Sequence, residues 1–146
     1  MSLSPGTVFT FVNPDFPDNP PHPKIAVAVS PDKRVVYVYT STREKSVRAW
    51  CEKIEGKSGR GDLRTLVSAP ITECPVLRQD SWINCNNADM KDEDVLRRRP
   101  AFCEYTGGKA SMELVGRIRV GVLSSPKVPE TIKKVIREQQ WPPRAH

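Results

Sequence analysis

The sequence predicts a mainly β fold, a small barrel that ends in an α-helix with one short additional helix. Short segments rich in β-branched and aromatic residues recur along the 146 residues, which is typical of strands. Two of them are separated by only a four-residue turn, which favours a hairpin. The regular strand–helix alternation of a parallel sheet is not seen, and many short strands with local hairpins indicate a small barrel.

The first half of the chain carries the clearest strand patterns. Residues 7–12 alternate β-branched and aromatic side chains, and we predict a strand there. Residues 13–24 hold five prolines and are predicted to form an extended loop, because proline fixes φ and donates no backbone hydrogen bond. Residues 25–29 form an apolar strand, residues 30–33 a turn, and residues 34–41 the strongest strand of the sequence.

The second half is more ambiguous. We predict a weaker strand over residues 46–54, a glycine-containing loop over 55–62, and a short strand over 81–85. Residues 89–99 change from acidic to basic, which suits the dipole of a short helix. Residues 114–123 alternate well enough to be predicted as the last strand.

A helix closes the predicted fold. It starts after Pro126 and ends before Pro142, and its apolar residues repeat at helical spacing: Val128, Ile132, Val135 and Ile136. The whole chain is predicted to be one domain. Residues 1–5 and 142–146 are expected to be disordered.

Composition restricts the classes of protein that fit. A domain of this length buries about two-thirds of its unfolded surface without a metal or disulfide. The four cysteines lack the close pairs that zinc sites use, so we expect reduced thiols, no metal and no cofactor: Cys51, Cys74, Cys85 and Cys103. No apolar run suggests a membrane helix and no signal peptide is recognised, so we expect a cytoplasmic protein without membrane contact. The net charge of +6 favours polyanionic partners.

Several segments, in this order, resemble the MazF/PemK toxin family. They are Gly6 before the first strand, Lys24 to Asp32 (KIAVAVSPD), Val38 to Arg43 (VYTSTR), Asp80 to Asn84 (DSWIN), and Gly121 to Ser124 (GVLS) before the last helix. Together they cover most of the chain. The resemblance is closest to a divergent, poorly characterised branch of the family.

This resemblance implies an SH3-like barrel that cleaves single-stranded RNA without a metal. Such cleavage needs a base for the ribose 2′-OH, an acid for the leaving oxygen, and donors for the charged phosphorane. DNA lacks the 2′-OH and is not cut. The resemblance also implies a homodimer with the RNA groove across both subunits, and an acidic antitoxin partner that fills this groove.

The resemblance implies four catalytic residues. His22 is the acid–base candidate, because histidine side chains change charge near neutral pH. Depending on the alignment, Lys24 or His22 stands where active relatives carry Arg, and neither offers the forked donors of a guanidinium. Thr40 and Arg43 supply a hydroxyl and a cation suited to a phosphate.

Six further residues are candidates for RNA binding, by hydrogen bonding, stacking or charge: Ser41, Thr42, Trp82, Arg97, Arg98 and Arg99. Relatives also use an acidic residue near the later strand, and the nearest here are Asp80 and Asp89. Runs of charge are more often solvated surface, and tryptophans more often pack in cores. The alternative is therefore a catalytically silent module on the same barrel, of the kind a phage or mobile element encodes, that binds nucleic acid or protein.

Overall fold

The fold is described from a computed structural model of the chain, and the structure describes residues 2–15, 22–57 and 62–142. The strands in these ranges are β1 Val8–Thr10, β2 Lys24–Val29, β3 Arg34–Tyr39, β4 Leu66–Ala69, β5 Ser81–Asn84, β6 Asp89–Asp92 and β7 Cys103–Glu104. The helices are α1 Glu44–Glu55, α2 Glu93–Arg97, α3 Met112–Leu123 and α4 Glu130–Glu138, with a 3₁₀ turn at Cys85–Asn87.

The strands form two antiparallel sheets. Five pair in the order β6-β3-β2-β1-β7, and β4 pairs with β5. A bridge between Ser41 and Trp82 connects the end of β3 to β5, through N···O distances of 3.0 and 2.8 Å. With four helices in the described ranges, the fold is mixed rather than mainly β. No strand pairing among the described residues closes a barrel.

The predicted hairpin is confirmed. Strands β2 and β3 pair from Val29 opposite Val35 to Lys24 opposite Tyr39, with a bulge near Ala26. The predicted C-terminal helix is confirmed as α4. The short helix predicted over 89–99 is confirmed only as α2, because residues 89–92 form β6 on the edge of the sheet.

The prediction of a strand over residues 46–54 is wrong, because they lie within α1. Val47 and Cys51 are buried one helical turn apart, and this spacing gives a helix one apolar face. Gly56 ends the helix with φ 70°, a left-handed conformation that glycine adopts without a steric cost. The buried face of α1 packs against β5.

The prediction of a strand over residues 114–123 is also wrong, because they lie within α3. Ser111 caps this helix, its Oγ accepting from the backbone N–H of Leu114 at 3.1 Å. The buried residues follow helical spacing: Leu114, Val115, Ile118 and Val122. The pattern of apolar residues in this segment fits both a strand and a helix, and the serine cap is the signal that favours the helix.

The five-stranded sheet has a core on each face. The larger core lies between the sheet and α3 and α4. The smaller one is on the opposite face, called the aromatic face because Phe9, Phe11 and Tyr37 pack in it; its other buried members are Leu3, Ala26, Val35 and Leu96. The expected disorder of residues 1–5 stays a prediction; in the structure Leu3 is 2% exposed and its N–H donates to Glu93 Oε1 at 3.0 Å. Residues 143–146 lie outside the described residues.

None of the helices in the described part of the chain has the length and apolar character required to cross a membrane.

Candidate functional site

A groove of about 710 Å³ opens at one end of the five-stranded sheet. Three stretches of chain form its walls. The ends of β2 and β3 contribute residues 22–23 and 40–42, the segment before β5 contributes residues 75–79 and Ser81, and β7 with its continuation contributes residues 103–107. The groove therefore joins parts of the chain that are up to 85 residues apart in sequence, from 22 to 107.

Four of the predicted site residues meet in this groove: His22, Thr40, Ser41 and Thr42. His22 and Thr42 are exposed there. The Thr40 hydroxyl donates to the carbonyl of Pro23 at 2.7 Å, which ties the ends of the two strands together. Ser41 Oγ accepts from the backbone N–H of Arg43 at 3.1 Å, so its own O–H can still donate to a ligand.

Lys24 does not line the groove. It lies in the ladder opposite Phe9 and Tyr39, which puts its side chain on the aromatic face of the sheet. Its Nζ is 4.1 Å from the centre of the Phe11 ring and donates to the Phe11 carbonyl at 3.4 Å. The side chain is buried, with 4% exposed, and desolvation lowers the pKa of Lys24 to about 8.

The arginine run predicted to hold RNA lies outside the groove as well. Arg97 forms an ion pair with Glu93 at 2.8 Å and lies over the Phe102 ring at 5.5 Å. Arg98 is exposed. Arg99 lies 5.6 Å from the centre of the Phe11 ring, near Lys24. These three arginines therefore belong to the helix α2 region and the aromatic face.

Arg43 and Trp82 lie beside the groove without lining it. Arg43 is exposed at the N-terminus of α1, with no side-chain capping bond. Trp82 is half-buried in β5, where its backbone pairs with Ser41, and its side chain lines a separate small pocket. Both residues stand at the margin of the region that contains His22 and Thr40.

The groove contains a cation that the sequence did not single out. Arg78 lines it, together with Gln79 and Tyr105. The segment that carries Arg78 is held in place by Asp80, whose Oδ1 accepts from the backbone N–H of Ile71 at 3.0 Å. Strand β4 was not recognised in the sequence, so nothing indicated that the segment between β4 and β5 folds back towards β2. One signal that could have indicated it is the aspartate at the end of a turn-rich stretch.

Three carboxylates of the described residues were candidates for the acidic role, and each has a partner elsewhere in the protein: the two predicted from the sequence, Asp80 and Asp89, and the groove residue Glu104. Asp80 holds its own loop, as described above. Asp89 accepts from Tyr37 Oη at 3.1 Å and from the N–H of Met90 at 2.8 Å. Glu104 Oε1 lies 3.4 Å from Arg97 Nη2, on the aromatic side of β7. Among the described residues, the acidic residue that the resemblance implies therefore has no counterpart whose carboxylate is free of a partner elsewhere in the protein.

The cysteines do not form a metal site. Among the described residues, no three His, Cys, Asp or Glu side chains gather closely enough to hold an ion. All four cysteines are free thiols; Cys51, Cys74 and Cys85 are buried and Cys103 is exposed at the groove. Burial raises the pKa of Cys74 to about 11, so this thiol stays protonated and unreactive at neutral pH.

No protein-family model matches the chain, and no curated protein matches it significantly. The function of the groove is therefore inferred from the side chains that line it.

Proposed function

We propose that the chain is a MazF/PemK-like, metal-independent endoribonuclease that acts on single-stranded RNA in this groove. The observation that carries the proposal is that His22, Arg78 and the hydroxyl segment 40–42 line one open groove. An imidazole can supply the base and the acid, and a guanidinium with hydroxyl groups can supply the donors, that cleavage through the ribose 2′-OH uses.

Each group has a role in the proposed reaction. His22 takes the proton of the 2′-OH, and the 2′-oxygen then attacks phosphorus as the bond to the 5′-oxygen breaks. The imidazolium returns its proton to the leaving 5′-oxygen, so the products are a 2′,3′-cyclic phosphate and a 5′-hydroxyl. Arg78 offers the forked donors that the sequence lacked at position 24, and it stabilises the charge on the phosphorane. Ser41 and Thr42 orient the phosphate.

The fold and partners implied by the resemblance belong to the same proposal. The Ser41–Trp82 bridge supports an SH3-like arrangement, because it links the two sheets into one strand system. The charge of +6 supports an acidic antitoxin as partner. A homodimer is tested by sedimentation, and the antitoxin by co-purification with the product of the neighbouring gene. The predicted cytoplasmic location stays a prediction.

A second candidate function is RNA binding without cleavage. It is favoured because the carboxylates of Glu104 and Asp80 already have partners within the protein. Glu104 forms an ion pair with Arg97, and Asp80 accepts a hydrogen bond from the backbone N–H of Ile71. The hydroxyl of Thr40 is also committed, to the Pro23 carbonyl. In the described part of the chain, a groove with one imidazole, and with the Glu104 carboxylate paired to Arg97, can bind a phosphate backbone without completing the chemistry.

The deciding experiment incubates the purified protein with long single-stranded RNA in EDTA, next to DNA of the same sequence. We expect RNA fragments with cyclic-phosphate ends, intact DNA, and loss of the fragments with His22→Ala. Arg137→Ala is the control, since it changes an exposed side chain on α4 that does not line the groove. Intact RNA at high protein concentration would overturn the nuclease, and binding without cleavage would establish the second candidate.

A further inference from the structure

A second pocket, of about 270 Å³, lies next to the groove, between α1 and the outer face of strands β4 and β5. Its lining is Arg48, Asp62, Leu63, Leu66, Ser68 and Trp82. Helix α1 closes the neighbouring part of this face, where Cys51 Sγ donates to Asn84 Oδ1 at 3.4 Å. The pocket is smaller than those that take drug-sized ligands, and this size suits one planar ring system.

Trp82 is placed for contact with a ligand rather than for packing. It is half-buried, and among the described residues it belongs to neither hydrophobic core. In the β4–β5 ladder it lies opposite Ser68, a small exposed residue that leaves one side of the indole open. An aromatic ring held by a strand and open on one face is a stacking platform.

The pocket and the groove adjoin through one backbone pair. Ser41 and Trp82 exchange two hydrogen bonds, at 3.0 and 2.8 Å. Residues directly opposite in an antiparallel pair place their side chains on the same face, with Cα atoms about 5.5 Å apart. Ser41 lines the groove and Trp82 lines the pocket, so a strand that lies in the groove reaches the pocket within a short distance.

We propose that this pocket binds one unpaired nucleobase of the RNA strand whose backbone occupies the groove, an inference that rests on the proposed function. The base stacks on the Trp82 indole, and Leu63 and Leu66 enclose its edge. Arg48 contributes a cation for the adjoining phosphate, in keeping with the overall charge of +6. Asp62 and Ser68 supply the polar atoms that hydrogen-bond the rim of a base.

The test uses uncleavable oligonucleotides, with a 2′-O-methyl group at every ribose and the fluorescent base 2-aminopurine at successive positions. We expect the fluorescence of 2-aminopurine to be quenched only when this base stands at one position of the oligonucleotide, next to the bound phosphate. Trp82→Leu removes this quenching and weakens binding by roughly 5- to 150-fold, the range for loss of one stacked base. Trp82→Phe keeps most of the affinity, and Arg48→Ala lowers the slope of log affinity against log salt by about one.

The matched control is Trp50→Leu, because Trp50 is 56% exposed on α1 and does not line the pocket. Equal binding by wild type, Trp82→Leu and Trp50→Leu would overturn the pocket assignment and leave the proposed nuclease intact. Absence of RNA binding by the wild type would overturn both. If Trp82→Leu does not fold, two other measurements decide: the position at which 2-aminopurine is quenched in the wild type, and the salt dependence of binding by Arg48→Ala. Quenching that is the same at every position, together with a salt slope equal to that of the wild type, would contradict the assignment.

Discussion

His22 and Lys24 are two residues apart, yet they stand in opposite surroundings. His22 precedes the ladder of β2, where the chain is free to turn into the groove, and it is exposed. Lys24 is the first residue of the ladder, and its pairing with Tyr39 holds its side chain on the aromatic face, where it is buried. The start of one strand therefore separates an accessible titratable group from an enclosed one.

The two regions also use their polar groups differently. On the aromatic face, Tyr37 donates to Asp89 and Arg97 pairs with Glu93, so these groups serve the fold. In the groove, His22 and Arg78 have no such internal role in the described structure, and Ser41 keeps a free donor. The comparison indicates that groups satisfied within the protein serve stability, whereas exposed groups that converge in a cavity are available for a ligand.

The largest expected effect is that of Phe9→Ala on the aromatic face. The Phe9 ring is fully buried and lies 5.6 Å from Tyr37, 5.9 Å from Phe102 and 6.3 Å from Phe11, measured between ring centres. Its removal leaves a cavity, and we expect the free energy of unfolding in urea to fall by about 3–5 kcal/mol. Phe9→Leu keeps most of the volume and should cost less. A loss below about 1 kcal/mol for Phe9→Ala would show that this face is not a packed core.

The next prediction compares an arginine of the groove, Arg78, with an arginine of the aromatic face, Arg99. In the proposed nuclease, Arg78→Ala removes the groove cation and should lower the rate of RNA cleavage by about 10²–10³-fold, the usual loss for one donor to a developing charge. Arg99→Ala removes a cation that contacts the Phe11 ring and should act on stability, by about 0.5–1 kcal/mol. Initial rates and urea midpoints are measured for both variants. An equal loss of rate for both would contradict the division between groove and aromatic face.

Local patterns were enough to predict part of the fold. The β2–β3 hairpin and α4 depend on neighbours in sequence, and both are confirmed. The segments 46–54 and 114–123, which we predicted as strands, lie in helices α1 and α3. Their apolar residues fit both the two-residue period of a strand and the 3.6-residue period of a helix, and helix caps are what distinguish the two. Gly56 and Ser111 are those caps. Strand β7 was missed because its pairing partner is distant in sequence, as Cys103 with Thr10 shows. Strand β4 was missed because its 4 residues are too few to show an alternating pattern.

The candidate site was only partly predictable for the same reason. His22 and the segment 40–42 lie at the ends of neighbouring strands, so the hairpin alone brings them together. Arg78 enters the groove through a loop whose position depends on the unrecognised β4. The arginine run was predicted from charge density, which does not show that Arg97 is already paired with Glu93.

A smaller effect is expected from Tyr37→Phe, which removes one hydroxyl from the aromatic face. The hydroxyl donates to Asp89 Oδ2 at 3.1 Å, and burial raises the pKa of Tyr37 above its ordinary value, so the phenol stays protonated. Loss of a hydrogen bond to a carboxylate should cost about 1–2 kcal/mol in urea unfolding. Tyr105→Phe, in the groove, is the control and should cost less than about 0.5 kcal/mol. Equal costs would argue against a special role for the Tyr37–Asp89 bond.

The smallest effect concerns the pH dependence that Lys24 gives to stability. Its pKa is lowered from 10.5 to about 8 in the folded protein, so the unfolded state binds more protons between pH 8 and 10.5. Stability therefore rises with pH across this window through Lys24. Below pH 8 the buried charge opposes folding, because desolvation disfavours the ammonium more than the contact with the Phe11 ring stabilises it.

Lys24→Met should accordingly be more stable than the wild type at pH 7, and this difference should shrink between pH 8 and 10.5. Urea unfolding at pH 7, 8.5 and 10 measures this difference in stability. The contributions of tyrosine and thiol titration cancel in the difference, because both proteins contain the same tyrosines and thiols. Lys45→Met, an exposed lysine on α1, is the control and should show no such change. A difference that stays constant with pH would mean that the Phe11 and Tyr39 rings hold Lys24 fully charged. The aromatic face would then hold a charged lysine through contacts with aromatic rings. It would differ from the groove only in that its cation is not accessible to a ligand.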